Sequence, residues 1–280
     1  MYLEIIQSCF YSDINIVLMD KVLFSITTPC FNSVKTIRRT FDSILSQEFT
    51  DFEYIIIDGG STDGTLDVIK EYEPLFKGRM KWISEPDKGI YDAFNKGIER
   101  SQGIYCWNVN SDDYIEPNVL RKLSSLIIKL GKGNLPVISG GLNYVSQGGS
   151  VLSTQYSNKE KARISFKYDG IGVPHPATLV PREIYLQHGV YDTYYKIIGD
   201  MDWFHRVYAA GVDFIFVDYV LTNMMDGGIS SMFVYKRSLR DRVHFLNKYY
   251  HNPLVWFLHW ARWTKSFFYQ KYQIKRKRGK

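Results

Sequence analysis

Glu53-Tyr54-Ile55-Ile56-Ile57-Asp58-Gly59-Gly60-Ser61-Thr62-Asp63-Gly64 runs from an apolar strand into a polar, glycine-rich loop, and a helical pattern over Asp63 to Tyr72 follows at once. Three consecutive isoleucines bounded by a turn signal predict a short buried strand. The same alternation extends outward on both sides. Val22 to Thr27 reads as a strand and Val34 to Ser46 as a helix. Downstream, Arg79 to Ser84 and Ile104 to Val109 read as strands, with Ile90 to Arg100 and Pro117 to Leu130 as helices. Strands alternating with helices predict an α/β fold, Rossmann-like, whose mostly parallel sheet is covered by helices on both faces.

Ligands bind such sheets beyond the carboxyl ends of the strands. The unusual residues of this sequence fall there. Thr28-Pro29-Cys30-Phe31-Asn32 follows the first strand, Asp58 to Gly64 the second, and Asn110-Ser111-Asp112-Asp113 the fourth. These three loops are expected to converge on one cleft. Beyond Pro136 the alternation ends. Val137 to Tyr144 and Val151 to Tyr156 predict a hairpin around Gln147-Gly148-Gly149-Ser150; Asp200 to Ala210 predicts a helix and Asp213 to Val217 a strand.

Composition narrows the partners. Apolar residues make up 45% of the 280 and aromatics 16%, so a sizeable core is available and flat rings are plentiful for sugar or lipid. The net charge of +6 is local, because Lys271, Lys275, Arg276, Lys277, Arg278 and Lys280 supply six positive charges and leave a neutral body. That distribution argues against a broad phosphate-binding face, and no nucleic-acid-binding motif is present. Cys9, Cys30 and Cys106 have neither disulfide-framework nor metal-ligand spacing. With no secretory signal and no apolar run near the ~18–20 residues that span a bilayer, a cytoplasmic setting is expected, at the inner face of the cell membrane if the carboxy terminus binds lipid.

The adjacent carboxylates of Asp112 and Asp113, at the end of a buried strand, call for a cation. A hard divalent ion takes one or two carboxylates and completes its shell with phosphate oxygens, which suits Mn²⁺ or Mg²⁺ on a nucleotide diphosphate. Asp113 is the expected metal ligand, with Asp112 on the ribose or behind the metal; a polar turn capping the next helix is the competing explanation. Asp58 sits at the sheet rim, placed to accept from a base or ribose, and Gly59 and Gly60 permit close approach of a ligand to the backbone. Neither a P-loop nor a G-x-G-x-x-G fingerprint occurs.

Four segments taken together, Thr28 to Asn32, Ile57 to Gly64, Glu85-Pro86-Asp87-Lys88-Gly89-Ile90-Tyr91-Asp92-Ala93-Phe94-Asn95-Lys96-Gly97, and Asn110 to Asp113, closely resemble family 2 glycosyltransferases of the GT-A fold. The resemblance is strong over about residues 22–120 and continues to about 230. It implies a metal-dependent, inverting transfer of a sugar from a nucleotide-sugar donor to a saccharide or lipid-linked saccharide, in the synthesis of a cell-surface polysaccharide or glycolipid. Donor contacts are implied for Thr28, Pro29, Phe31, Asn32, Asp58, Gly60, Asp63, Lys88, Asp92, Asn95 and Asp112, with metal on Asp113. Ile198-Gly199-Asp200-Met201-Asp202-Trp203 resembles the family's base motif and implies Asp200 as general base, but Gly199 stands where Glu is commoner. Asp200 at a helix start also suits capping, and a non-catalytic scaffold of the same fold is the alternative function. Gly227-Gly228-Ile229-Ser230 resembles a loop-ordering segment, and His175, between two prolines, reads as structural.

The expected organisation is therefore a peripheral extension over 1–20, a catalytic domain over 21–232 with a donor half (21–135) and an acceptor half (136–232), and an amphipathic helical appendage with a basic tail over 233–280. In the appendage Trp256, Trp260, Trp263 and Phe267 form an aromatic stripe, with His259, Arg262, Lys265 and Ser266 opposite, so 253–280 is a candidate for peripheral membrane contact. Packing of the stripe on the catalytic domain is the other reading.

Overall fold

Every residue of β1 (Phe24–Cys30) and β2 (Phe52–Asp58) is buried. The isoleucine run explains how. Alternate side chains of a strand point to opposite faces, so Tyr54 and Ile56 pack with Phe41 and Phe76 on one face while Ile55 and Ile57 meet Ala93 on the other. The computed structural model describes residues 22–131, 133, 135–168, 172–226, 235–261 and 263–264. The amino-terminal extension, the Gly227 to Ser230 segment, Phe267 and the basic tail lie outside them.

The expected donor half, described over residues 22–131, alternates strand and helix as predicted. After β1 and α1 (Ile37–Leu45) come β2, α2 (Thr65–Tyr72), β3 (Met80–Ser84), α3 (Ile90–Arg100), β4 (Tyr105–Asn108), the short β5 (Tyr114–Ile115) and α4 (Val119–Leu130). The acceptor half adds β6 (Val137–Val145), β7 (Val151–Gln155), α5 (Lys159–Tyr168), β8 (Thr178–Pro181), α6 (Arg182–His188), α7 (Gly199–Ala209) and β9 (Phe214–Met225); α8 (Tyr235–Tyr249) follows. All nine strands among the described residues join one sheet in the order β3-β2-β1-β4-β8-β6-β9-β5, with β7 on β6.

The pairings of β1 with β2 and β4, and of β2 with β3, are parallel. The acceptor half is mixed. β8 runs antiparallel to both β4 and β6, whereas β6 and β9 are parallel. Because β2 and β3 lie to one side of β1 and β4 to the other, successive crossovers leave in opposite directions at the carboxyl ends of β1 and β4, which is where such sheets open a crevice.

Two features of this half escape local pattern. β8 is four residues long and is defined by partners far away in sequence. β9 is much longer than the expected Asp213 to Val217, since Val220 to Met225 are held in strand by pairing with β6 and β5.

The appendage also departs from expectation. Residues 253–261 are helical, but the tryptophan stripe is not an open face. The Trp256 indole donates to the Tyr250 carbonyl at 2.8 Å, Trp260 and Trp263 meet edge to face, and the Arg242 guanidinium of α8 lies 5.1 Å from the Trp263 ring. His259, expected on the solvated side, is 1% exposed beside Arg242, whereas Phe257 is 68% exposed. The rings are drawn inward because α8 offers a cation and a backbone acceptor.

Candidate active site

The three loops converge through their own hydrogen bonds. The Asn32 N–H donates to Ser61 Oγ (2.8 Å), the Ser33 N–H to Thr65 Oγ1 (2.8 Å) and the Val34 N–H to Asp63 Oδ2 (3.1 Å), so the loop after β1 is sewn to the loop after β2. In return Asn32 Oδ1 accepts the Thr62 N–H, with Asn32 held at a left-handed φ of 51°. On the opposite side Ser33 Oγ lies 2.8 Å from Ser111 Oγ, Thr40 donates to the Asp113 carbonyl and Arg39 Nη2 to the Asp112 carbonyl. Thr28 and Pro29 are buried, Thr28 taking the Tyr54 hydroxyl at 2.9 Å, while Phe31 stands at the rim with 62% exposure.

Asp58, fully buried at the end of β2, is saturated with donors. Its Oδ2 accepts the Gly60 N–H (3.1 Å), the Ser61 N–H (3.0 Å) and the Ser84 hydroxyl (2.6 Å); its Oδ1 accepts the Ser61 hydroxyl and the Cys30 thiol. Burial alone would raise this carboxyl, but the hydrogen bonds from Ser61, Ser84 and Gly60 outweigh it and hold the group below its usual range. A Cβ at Gly59 would stand 2.6 Å from Asp87 Oδ2, so a larger residue there would push the Asp87 carboxylate aside.

The pair after β4 is placed differently. Asp113 is 1% exposed and its carboxylate has two donors, Asn110 Nδ2 at 2.9 Å and the Met225 N–H at 3.3 Å. Burial, and then the neighbouring charge of Asp112, push it up to about 8. Asp112, also raised by burial, is the more open of the two. Arg39 exerts an attraction on both. Among the described residues no third Asp, Glu, His or Cys completes a metal cluster. Two carboxylates short of donors, with no further ligand, match a divalent ion that fills its shell with water and phosphate oxygens.

At the start of α3, Lys88 and Asp92 are engaged with the protein: the Lys88 N–H donates to Asp92 Oδ2 and the Lys88 carbonyl accepts Lys196 Nζ at 2.8 Å. Asn95 grips the Tyr191 backbone from both sides, donating to its carbonyl (2.8 Å) and accepting its N–H (3.0 Å). Those bonds tie α3 to the 190–198 loop that leads into α7. Half-buried Asp200, at the start of α7, accepts from the Tyr91 hydroxyl at 2.9 Å. Asp202 is fully buried and paired with Lys248 (2.8 Å), a packing role between α7 and α8. His175 is buried, its ring 5.1 Å from that of Phe94 and its Nε2 3.0 Å from the Tyr191 hydroxyl.

Sequence reasoning missed Arg39, Ser84, Asp87, Tyr91 and Lys196. Asp87 and Tyr91 lie within the Glu85 to Gly97 segment that carries the resemblance, but the resemblance implies no role for either.

A curled α/β sheet whose strand ends gather buried carboxylates around a crevice is the frame of a nucleotide-sugar enzyme, and residues 25–189 match glycosyl transferase family 2. The chain belongs to that family and is a glycosyltransferase that uses nucleotide-sugar donors. It is 28% identical over 191 residues to a PGL/p-HBAD biosynthesis glycosyltransferase of Mycobacterium bovis, covering 67% of this chain and 70% of that one. A chondroitin synthase of Escherichia coli is 39% identical over 98 residues, 35% of this chain and 14% of the synthase. Among solved structures, S. aureus TarS 1-349 in complex with UDP-GlcNAc superposes with a TM-score of 0.58 at 20% identity, covering 73% of this chain and 58% of that one. The mannosyltransferase PcManGT of Pyrobaculum calidifontis, with GDP-Man and Mn²⁺, reaches a TM-score of 0.60 at 14% identity, covering 82% and 64%. The likeness to the solved structures is one of fold. No described helix is long and apolar enough to cross a membrane.

Proposed function

We propose that the chain is a metal-dependent, inverting glycosyltransferase acting on a saccharide or lipid-linked saccharide, in polysaccharide or glycolipid synthesis at the inner face of the cell membrane. The observation that carries the metal dependence is the Asp112–Asp113 pair, two carboxylates at the crevice with too few donors for their charge. Asp113 would hold Mn²⁺ or Mg²⁺, with Asp112 on the ribose or behind the metal; bound there, the ion would supply positive charge against the leaving diphosphate. Asp58 frames the nucleoside end by fixing its loop, and the exposed Phe31 ring offers a stacking face to the base.

Asp200 takes the proton from the acceptor hydroxyl. The acceptor oxygen forms its bond to the anomeric carbon from the face opposite the diphosphate, and the bond from that carbon to the phosphate oxygen breaks with its electron pair, inverting the centre. Lys196, through the carbonyl of Lys88, and Asn95, through the backbone of Tyr191, keep the donor and acceptor sides in register. Lipid contact, on this reading, comes from the open Phe257 face of the 253–261 helix and the basic tail beyond it.

Thermal unfolding with UDP, GDP, CDP and dTDP, each with and without Mn²⁺, tests the donor site, since a ligand bound only by the folded state raises the melting temperature. One nucleotide is expected to stabilise the protein in a Mn²⁺-dependent way that Asp113→Ala abolishes. Stabilisation indifferent to EDTA and to Asp113→Ala would overturn the metal assignment. Asp200→Asn is expected to keep nucleotide binding and lose transfer by about 10²–10⁴-fold; a variant that still turns over at the parental rate would remove Asp200 as base.

A further inference from the structure

Resting on the reading of Asp200 as the base, we propose that Tyr91 of α3 is its positioning residue, and that Gly199 is the notch that lets Tyr91 reach it. The Tyr91 hydroxyl lies 2.9 Å from Asp200 Oδ1 and 2.7 Å from the Ile197 carbonyl oxygen. It has one proton for two acceptors. When Asp200 is a carboxylate, the O–H is best aimed at Oδ1, where a charge-assisted hydrogen bond is strongest. Once Asp200 has taken the acceptor's proton on Oδ2, Oδ1 is the carbonyl oxygen of the acid, a weaker acceptor, and the phenol can share its O–H between Oδ1 and the Ile197 carbonyl. One side chain thus satisfies both protonation states without moving its ring, and leaves Oδ2 for the acceptor.

Tyr91 is suited to stay neutral throughout. It is buried, and burial, with the adjacent Asp200 charge, holds its phenol well above the usual range. Its ring is fixed between Phe94 (6.2 Å) and Tyr191 (5.6 Å). The Asp200 charge is felt by Tyr91 on α3, by Tyr191 in the preceding loop and by His175, whose imidazole is pushed down by burial.

The same contact accounts for glycine at 199. A Cβ there would stand 2.9 Å from two carbons of the Tyr91 ring, a separation that packed atoms do not tolerate. The Glu that is commoner in the resembling motif is therefore incompatible with this Tyr91 position. The departure records how the base is oriented here, and no proton carrier is lost with it.

The test is ¹³C NMR of the full chain labelled at aspartate carboxyls, with the Asp200 resonance identified by Asp200→Asn. In Tyr91→Phe the midpoint of that titration is expected to move to higher pH than in the parent, because the donor 2.9 Å from Oδ1 is gone. Gly199→Ala should move it the same way, and adding Gly199→Ala to Tyr91→Phe should move it little further, as for two changes that break one contact. If Tyr91→Phe does not fold, Gly199→Ala carries the measurement. A midpoint unmoved in the folded variants overturns the assignment of Tyr91, whereas undiminished turnover in Asp200→Asn overturns the underlying reading of the base. With the donor identified by the nucleotide scan, Tyr91→Phe is expected to lower kcat about tenfold or more, leaving the donor KM unchanged.

Discussion

Two carboxylates end neighbouring parts of the same sheet, both out of contact with solvent, and they have opposite characters. Asp58 at β2 has five donors from four residues and sits below its usual range; Asp113 after β4 has two donors and a like charge beside it, and is pushed up to about 8. Burial is common to both, so burial does not decide which acid is a structural fixture and which awaits a ligand. The supply of donors does. An acid already satisfied by its own fold organises a loop. One left short of positive partners is stabilised by what binds beside it, and the occupant we propose is a nucleotide diphosphate with its metal.

The comparison breaks most visibly in stability. Asp58→Ala leaves the Gly60 and Ser61 N–H groups and two hydroxyls without their acceptor, and is expected to cost about 3 kcal/mol or more in denaturant unfolding. Asp113→Asn removes a reluctant charge, and in metal-free buffer the variant is expected to be at least as stable as the parent. A destabilised Asp113→Asn alongside an unaffected Asp58→Ala would reverse our assignment of the two.

Their pH dependence sharpens it. Asp58 is lowered in the fold, so its contribution is fully present above about 3.8, the unfolded value, and is lost as pH falls through the lower folded one. The gap between the parent and Asp58→Ala should therefore hold from pH 7 to 5 and narrow only below about 4. Asp113 is raised, so between 3.8 and about 8 the unfolded chain releases a proton that the folded protein keeps. Stability from this group declines as pH climbs through that window, and the advantage of Asp113→Asn over the metal-free parent should grow from pH 5 to 8.

The smallest effect expected is that of Ser84→Ala. It withdraws one of Asp58's donors, at 2.6 Å, and should cost about 1 kcal/mol while leaving nucleotide-dependent stabilisation in place. A loss comparable to that of Asp58→Ala would mean that the loop depends on β3 rather than on its own backbone.

The appendage carries a parallel lesson. Its aromatic periodicity was visible in the sequence, but which face would be covered was not: His259 went inside and Phe257 stayed out, because the cation that receives Trp263 comes from α8 and not from the helix itself.

The sequence by itself determined the alternation of strands and helices in the donor half, the three loops at the carboxyl ends of β1, β2 and β4, and the family, since these depend on neighbouring residues and on short motifs in fixed order. The acceptor half was legible only in part. β8 and most of β9 exist through partners elsewhere in the sheet. Tertiary structure completed the surroundings of each acid, because the donors its own loop does not supply come from far along the chain: Ser84 is 26 residues from Asp58, Met225 is 112 from Asp113, and Tyr91 is 109 from Asp200. A motif names the carboxylate. Its charge, orientation and readiness to bind are set by the groups that folding brings to it.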